Sequence, residues 1–208
     1  MSAKTDILKS IRQSVGEDRG AELPVNRDYC TSLGLDPEAK IHLFIDRLVD
    51  YNATVYRTDH AGIAATVAEA LGVRGKRGLV IPSGLPSEWL PNGFHFTVDR
   101  DLDYDTLDAA EGALTSSTSA IAFTGSIILT HSPAEGRRAI SLIPDYHLCV
   151  VFESQIRETV PEAIRGLKDR RTSPITTIAG PSATADIEMM RVKGVHGPRT
   201  LDVIIVAA

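Results

Sequence analysis

Apolar residues recur at helical spacing through residues 3–15, where Ile7, Leu8, Ile11 and Val15 share one face. Residues 16–36 are polar and follow no period, which reads as a loop or arm. Asp36-Pro37 is a helix start, a capping carboxylate followed by proline at the first helical position. Ile41, Phe44, Ile45, Leu48 and Val49 give that helix its apolar stripe, and Asn52 ends it. A strand at 54–58, a helix at 62–71 and a strand at 78–81 follow. Helix alternating with strand points to parallel pairing through crossovers.

Beyond residue 85 the pattern predicts a helical turn at 87–90, a strand at 94–98 and a weak helix at 105–114. A long strand at 120–130 comes next, then a buried strand at 147–152 and a charged amphipathic helix at 155–171. Pro161 lies inside that helix and marks a kink or break. A strand at 174–179, a short helix at 182–190 and a closing strand at 201–206 complete the chain. The fold class is therefore α/β, an open and mainly parallel sheet with flanking helices and an N-terminal helical arm. The expected division is an arm over residues 1–36 and an α/β domain over 37–208.

Composition narrows the class. A chain of 208 residues with 43% hydrophobic and 24% charged residues buries its own core as one domain. A net charge of −5 argues against a nucleic-acid binder. No segment reaches about 18 continuous apolar residues, so no membrane span is expected. The N-terminal residues lack the apolar core of a signal peptide, which suggests a cytoplasmic protein. Two cysteines, Cys30 and Cys149, offer neither a metal knuckle nor a disulfide framework.

Three stretches carry candidate chemistry. In Gly180-Pro-Ser-Ala-Thr-Ala-Asp-Ile-Glu188, Gly180 turns the chain, and Ser182 or Thr184 stands at a helix start. Free backbone N–H groups there suit a small anion, and in an open α/β sheet ligands gather at the carboxyl ends of the strands. Simple capping explains the same residues, and Asp186 and Glu188 would repel a phosphate. In Gly194-Val-His-Gly-Pro198, Gly194 and Gly197 fix His196 in a tight loop, as a general acid or base or as a turn histidine bonded to backbone. Asp186, Glu188 and His196 together would make a proton-transfer unit. In Thr124-Gly125-Ser126 a glycine interrupts a strand, marking either a bulge or a polar ligand lining. Arg137 is placed to meet a carboxylate or phosphate, or to lie on the surface. The stretch from Gly72 to Gly78, basic and glycine-rich, reads as a solvated turn. No Walker loop, dinucleotide fingerprint or cysteine quartet is present.

Gly180 to Glu188 and Gly194-Val-His-Gly-Pro-Arg199, together with Thr124-Gly125-Ser126 and the stretch from Arg137 to Asp145, resemble the signature of the lactate-utilization (LUD) family. The likeness runs from about residue 40 to the end of the chain, and the missing cysteine set makes it similar to the family's cluster-free branch. The resemblance implies a part in oxidising L-lactate to pyruvate beside iron–sulfur partner subunits, with no cofactor bound by this chain. It also implies the fold group of sugar-phosphate isomerases and CoA transferases. Three readings follow from it. One is an accessory subunit binding a small anionic or nucleotide-like ligand at the Gly180 turn and the Gly194–Pro198 loop. Another is a stand-alone enzyme using Glu188 and His196 on a carboxylate or phosphate. The third is an assembly subunit that docks iron–sulfur partners. The arm suits either a homodimer contact or a cover over its own sheet.

Overall fold

The computed structural model describes residues 3–15, 26, 28–170, 172–181, 183–184, 192–193 and 197–207. Helix α1 spans Ala3–Val15 and α2 Pro37–Asp50. The predicted cap is in place: Asp36 Oδ1 accepts from the Ala39 N–H at 2.8 Å, with proline in the first turn. Strand β1 (Thr54–Thr58), α3 (Ile63–Arg74), β2 (Gly78–Pro82), β3 (His95–Asp99), α4 (Tyr104–Asp108) and β4 (Ala113–Thr115) follow. Then come β5 (Ser119–Ile121), β6 (Ser126–Leu129), β7 (Tyr146–Phe152), β8 (Ile156–Arg157) and α5 (Val160–Gly166). The last elements are β9 (Thr176–Ile178), β10 (Ala183–Thr184), β11 (Val192–Lys193) and β12 (Thr200–Val206).

Six strands form a parallel sheet in the order β1-β12-β7-β4-β2-β3. The closing strand thus lies between β1 and β7, and both β7 and β12 are largely apolar and buried on two faces, interrupted by His147 and Asp202. Helix α3 covers one face through Ile63, Val67 and Leu71 against Leu148, Val150 and Ile204. On the other face Cys149, Val151, Val203 and Ile205 meet Phe44 and Leu48 of α2, and also Ala120, Ile127 and Leu129. Those last three belong to a second, four-stranded sheet, β8-β5-β6-β9.

That second sheet is where the sequence pattern misleads. The long strand predicted over 120–130 is a hairpin, because Gly125 adopts φ +64 and reverses the chain instead of bulging it. The helix predicted over 155–171 is split: Ile156 is drawn into β8, and Pro161 sits in the first turn of α5, where a missing N–H costs nothing. Thr159 caps that turn. The strand predicted over 174–179 exists as β9 but pairs antiparallel with β6, outside the main sheet. Of the helix predicted over 182–190, Ala183–Thr184 is strand, paired antiparallel with Val192–Lys193. The helix predicted over 105–114 stops at Asp108, and Ala113–Thr115 enters the main sheet beside Cys149.

Two buried polar groups lock the main sheet. The fully buried Asp202 carboxylate accepts from Arg74 Nε at 3.0 Å, from Arg74 Nη2 at 2.6 Å and from the Tyr146 hydroxyl at 3.0 Å. Arg74 Nη2 also donates to Thr54 Oγ1 at 2.7 Å, so one guanidinium ties α3 to β12 and β1. This arginine belongs to the stretch read as a solvated turn; the isolated Asp202 in an apolar strand was the signal of its partner. Burial, and after it the adjacent carboxylate, raises the Tyr146 phenol well above its ordinary pKa and keeps it a donor.

The second group is His147, wholly buried in β7. Its Nε2 lies 2.8 Å from Thr115 Oγ1, which in turn approaches Cys149 Sγ at 3.8 Å; that thiol points to the Ser116 carbonyl at 3.7 Å. The chain of donors is self-consistent when Nε2 carries the proton, which leaves Nδ1 a bare lone pair with no hydrogen-bond partner. Burial pushes the imidazole down to about 4 and the Cys149 thiol up to about 12, so both are neutral near pH 7.

Asp202→Asn leaves a guanidinium and a phenol short of their acceptor. Breaking a buried pair costs about 3–5 kcal/mol, and because the Arg74 side chain is 31% exposed the loss should be near the lower end, read as a reduced midpoint in urea unfolding. His147 gives a second expectation. Between pH 6.5 and about 4 the unfolded chain takes up a proton that the folded one refuses, so stability falls as pH drops through that window, by up to roughly 3 kcal/mol. His147→Asn should flatten that part of the pH dependence relative to the parent chain; an unchanged slope would remove His147 as its source.

Candidate functional site

The carboxyl ends of β2, β3 and β4, where an open α/β sheet ordinarily receives ligand, are covered in this protein. The turn that follows β6 folds over them. Its Pro133 carbonyl accepts from Gly84 N–H at 3.0 Å and its Ala134 carbonyl from Ser116 N–H at 3.0 Å. The buried Glu135 carboxylate holds the turn together, accepting from Thr130 N at 2.7 Å, Ser132 N at 3.0 Å and Thr118 Oγ1 at 2.5 Å. His131, at φ +58, bridges the Gly136 carbonyl and Thr176 Oγ1, each at 2.9 Å.

Arg137 belongs to this cover. Its guanidinium makes a two-pronged bond to Asp99, at 2.8 and 3.0 Å, and also donates to the Leu102 carbonyl. Burial opposes ionisation of Asp99, yet the bonds from Arg137 and from the Leu102 N–H outweigh it and hold the carboxyl below its ordinary range. Arg137 therefore meets a carboxylate, as its sequence context allowed, but one belonging to its own chain, at the carboxyl end of an edge strand. It stands apart from the other candidate residues.

Those others gather at the opposite end of the sheet. Strands β5 and β8 run down from the carboxyl edge, and the hairpin tip between β5 and β6 reaches the last turn of α2. A Cβ on Gly125 would stand 2.7 Å from Arg47 Cβ and 3.0 Å from the Arg47 carbonyl carbon. Strand β9 runs beside β6 and delivers Gly180 (φ +76) to the same helix end, where a Cβ would stand 2.5 Å from Tyr51 Cβ. Both positions combine a left-handed backbone with close approach, so glycine is required twice over. Thr124 Oγ1 donates to Ser126 Oγ at 2.8 Å, which fixes the hairpin tip. Gly197, at φ +121, precedes the first residue of β12 at the same amino edge. The Gly180 turn thus lies at the amino end of the main sheet and not at its carboxyl end, because its strand pairs in the second sheet.

An open cleft of about 610 Å³ occupies this corner, lined by Arg47, Asp50, Tyr51, Phe123 and Thr124. Its described wall is net acidic, with one guanidinium facing two carboxylates. Arg47 lies 3.1 Å from Asp50 and 3.7 Å from Asp46, and the carboxyl end of α2 adds partial negative charge. A carboxylate ligand gains from Arg47 only in competition with these. Nearby, His147 is the second residue of β7, on the sheet face that α2 and the second sheet cover, so its bare Nδ1 belongs to the same end of the fold. Periodicity treats it as one more residue of a buried strand; the signal was a histidine inside the otherwise apolar run after Tyr146.

Thr124, Gly125, Ser126, Gly180 and Gly197 are therefore brought to one edge by three separate segments. Thr184 is part of the short β10–β11 ladder that joins Gly180 to Gly197 along the chain. Ser182, Asp186, Glu188, Gly194 and His196 lie outside the described residues. Among the described residues no cluster of histidine, cysteine and carboxylate side chains could hold a metal ion. No described helix is long and apolar enough to cross a membrane.

Comparison with known proteins bears on the same segments. The LUD domain family model matches residues 87–206, which takes in the hairpin, the Gly180 turn and β12. A protein named lactate utilization protein C from Deinococcus radiodurans is 41% identical over 207 residues, covering 98% of this chain and 95% of that one. The lactate utilization protein C of Bacillus subtilis is 26% identical over 227 residues, covering 96% and 94%. A crystal structure of a DUF162 family protein from Deinococcus radiodurans superposes with a TM-score of 0.73 at 39% identity, covering 83% of this chain and 99% of that one. The chain belongs to the LUD-domain family.

Proposed function

We propose that this protein is a subunit of a lactate-utilization system, free of iron–sulfur clusters itself, and that its amino-edge corner binds a small hydroxy- or keto-acid. The full-length relatives named lactate utilization protein C support the first part. One observation carries the second: two glycines on separate segments, each at a positive φ and each packed against the last turn of α2, build a polar corner around Arg47 and Thr124. A guanidinium and the linked hydroxyls of Thr124 and Ser126 are donor types that a carboxylate and its neighbouring oxygen use.

The charge around Arg47 gives this reading a direction. A carboxylate must draw the guanidinium away from Asp50, so removing that acid should tighten binding and removing the arginine should weaken it. A second reading, docking of iron–sulfur partners at the same corner, is favoured by Phe123, a large apolar side chain left 55% exposed at the hairpin tip.

Isothermal titration of the purified chain with lactate and pyruvate tests the ligand reading. Arg47→Ala should weaken binding at least tenfold, the value of a hydrogen bond to a charged group. Asp50→Asn should strengthen it up to about fivefold, the value of an exposed ion pair. Heat changes absent in parent and variants alike would discard the ligand reading. Loss of co-purification with iron–sulfur partners in Phe123→Ser would then favour docking.

A further inference from the structure

Two exposed apolar surfaces of this chain match each other, and neither takes part in the amino-edge corner. Helix α1 turns Ile7 (59% exposed) and Ile11 (52% exposed) to solvent with Leu8 beside them. A helix of 13 residues is marginal on its own in water, so an apolar stripe of this kind exists to be covered. The second surface is a groove of about 460 Å³ beside α5, lined by Tyr29, Val160, Pro161, Ile164, Leu167 and Ile175 together with the cationic Arg165 and Lys168. Ile164 is 53% and Ile175 45% exposed, while Leu167 forms its floor and packs with Ile121, Ile128 and Ala163 beneath. The groove is thus rigidly backed by the second sheet and open above.

The chain itself connects the two. Tyr29, in the segment that follows α1, is one wall of the groove. The residues after it are anchored: the Glu158 carboxylate accepts from Ser32 Oγ at 2.7 Å and from the N–H groups of Leu33, Gly34 and Leu35, and Thr159 Oγ1 donates to the Thr31 carbonyl at 2.9 Å. The Ser32 hydroxyl first, and those backbone N–H groups after it, hold the Glu158 carboxyl below its ordinary range. The arm is therefore fastened at the groove's own edge. Within one chain α1 leaves its own groove uncovered.

We propose that α1 of one copy seats Ile7, Leu8 and Ile11 in the α5 groove of a second copy, and that the second copy does the same in return. Reciprocal exchange is the closed, two-fold solution for identical chains. It covers both surfaces at once and doubles the area buried, which a single short helix could not make large enough for a stable pair.

The test is the mass of the full chain in solution by light scattering, with variants whose substituted residues are exposed and so leave the fold intact. The expected result is a dimer at tens of micromolar that becomes monomeric in Ile11→Glu and in Ile164→Glu, with melting temperatures within a few degrees of the parent. A monomer in the parent, or a dimer persisting in both variants, overturns the proposal. Cysteine pairing fixes the partner: in a Cys30→Ser background, Ile11→Cys chains mixed with Ile164→Cys chains should form a disulfide between chains on oxidation. A chain carrying both substitutions that oxidises only within itself, remaining monomeric, would assign the groove to its own arm and overturn the exchange. Ligand titration at the amino edge is independent of every one of these outcomes.

Discussion

The fold depends on where its last strand goes. Strand β12 is made at the end of the chain, yet it occupies the position between β1 and β7, paired in parallel on both sides. Until it inserts, β1 has no neighbour in the sheet, α3 has no carboxylate for Arg74, and Tyr146 has no acceptor. Burial supplies the driving force, since Leu201, Val203, Ile204, Ile205 and Val206 are all inaccessible to water. Asp202 supplies the register. A shift by one residue would move its charge to the opposite face, against the apolar side chains of α2, and leave a guanidinium unpaired. Pairing between such distant parts of the chain adds a loop-closure entropy that this burial must offset.

That insertion places the candidate residues. The segment entering β12 must arrive at the amino edge, which puts Gly197 there, and β9 must end at the same edge because it runs antiparallel to β6. The carboxyl ends of β2, β3 and β4 are closed by the turn around Glu135, whose carboxylate is the acceptor for Thr118, Thr130 and Ser132. A sheet with the carboxyl ends of three strands covered from within and a polar corner at its amino end departs from the usual arrangement of open α/β proteins. The second sheet causes this, by diverting β5, β6, β8 and β9 away from the main one.

Much of the main sheet was legible. The alternation of helix and strand gave β1, α3 and β2 within a few residues, the Asp36-Pro37 cap gave the start of α2, and the apolar runs gave β7 and β12. The second sheet was not legible, because its strands are two to four residues long and carry no period of their own. Ile156 reads as part of a helix and Gly125 as a bulge until partners are available to pair with them. Individual site residues fared similarly. Thr124, Gly125, Gly180 and Gly197 were marked by their local chemistry, whereas Arg47 was one charge on a helix and His147 one residue of a buried strand. Their significance lies in what stands beside them.

The sequence by itself determined the class of the fold, the family and the start of α2, since each of these rests on residues close together: the period of an apolar face, the spacing of a motif, a carboxylate just before a proline. The tertiary structure alone decided which edge of the sheet holds the polar corner, that Arg137 and Arg74 are spent on carboxylates of their own chain, and that β9 leaves the main sheet. Those outcomes rest on pairings between residues far apart in the chain. They are settled by which buried groups find partners, a condition no local pattern records.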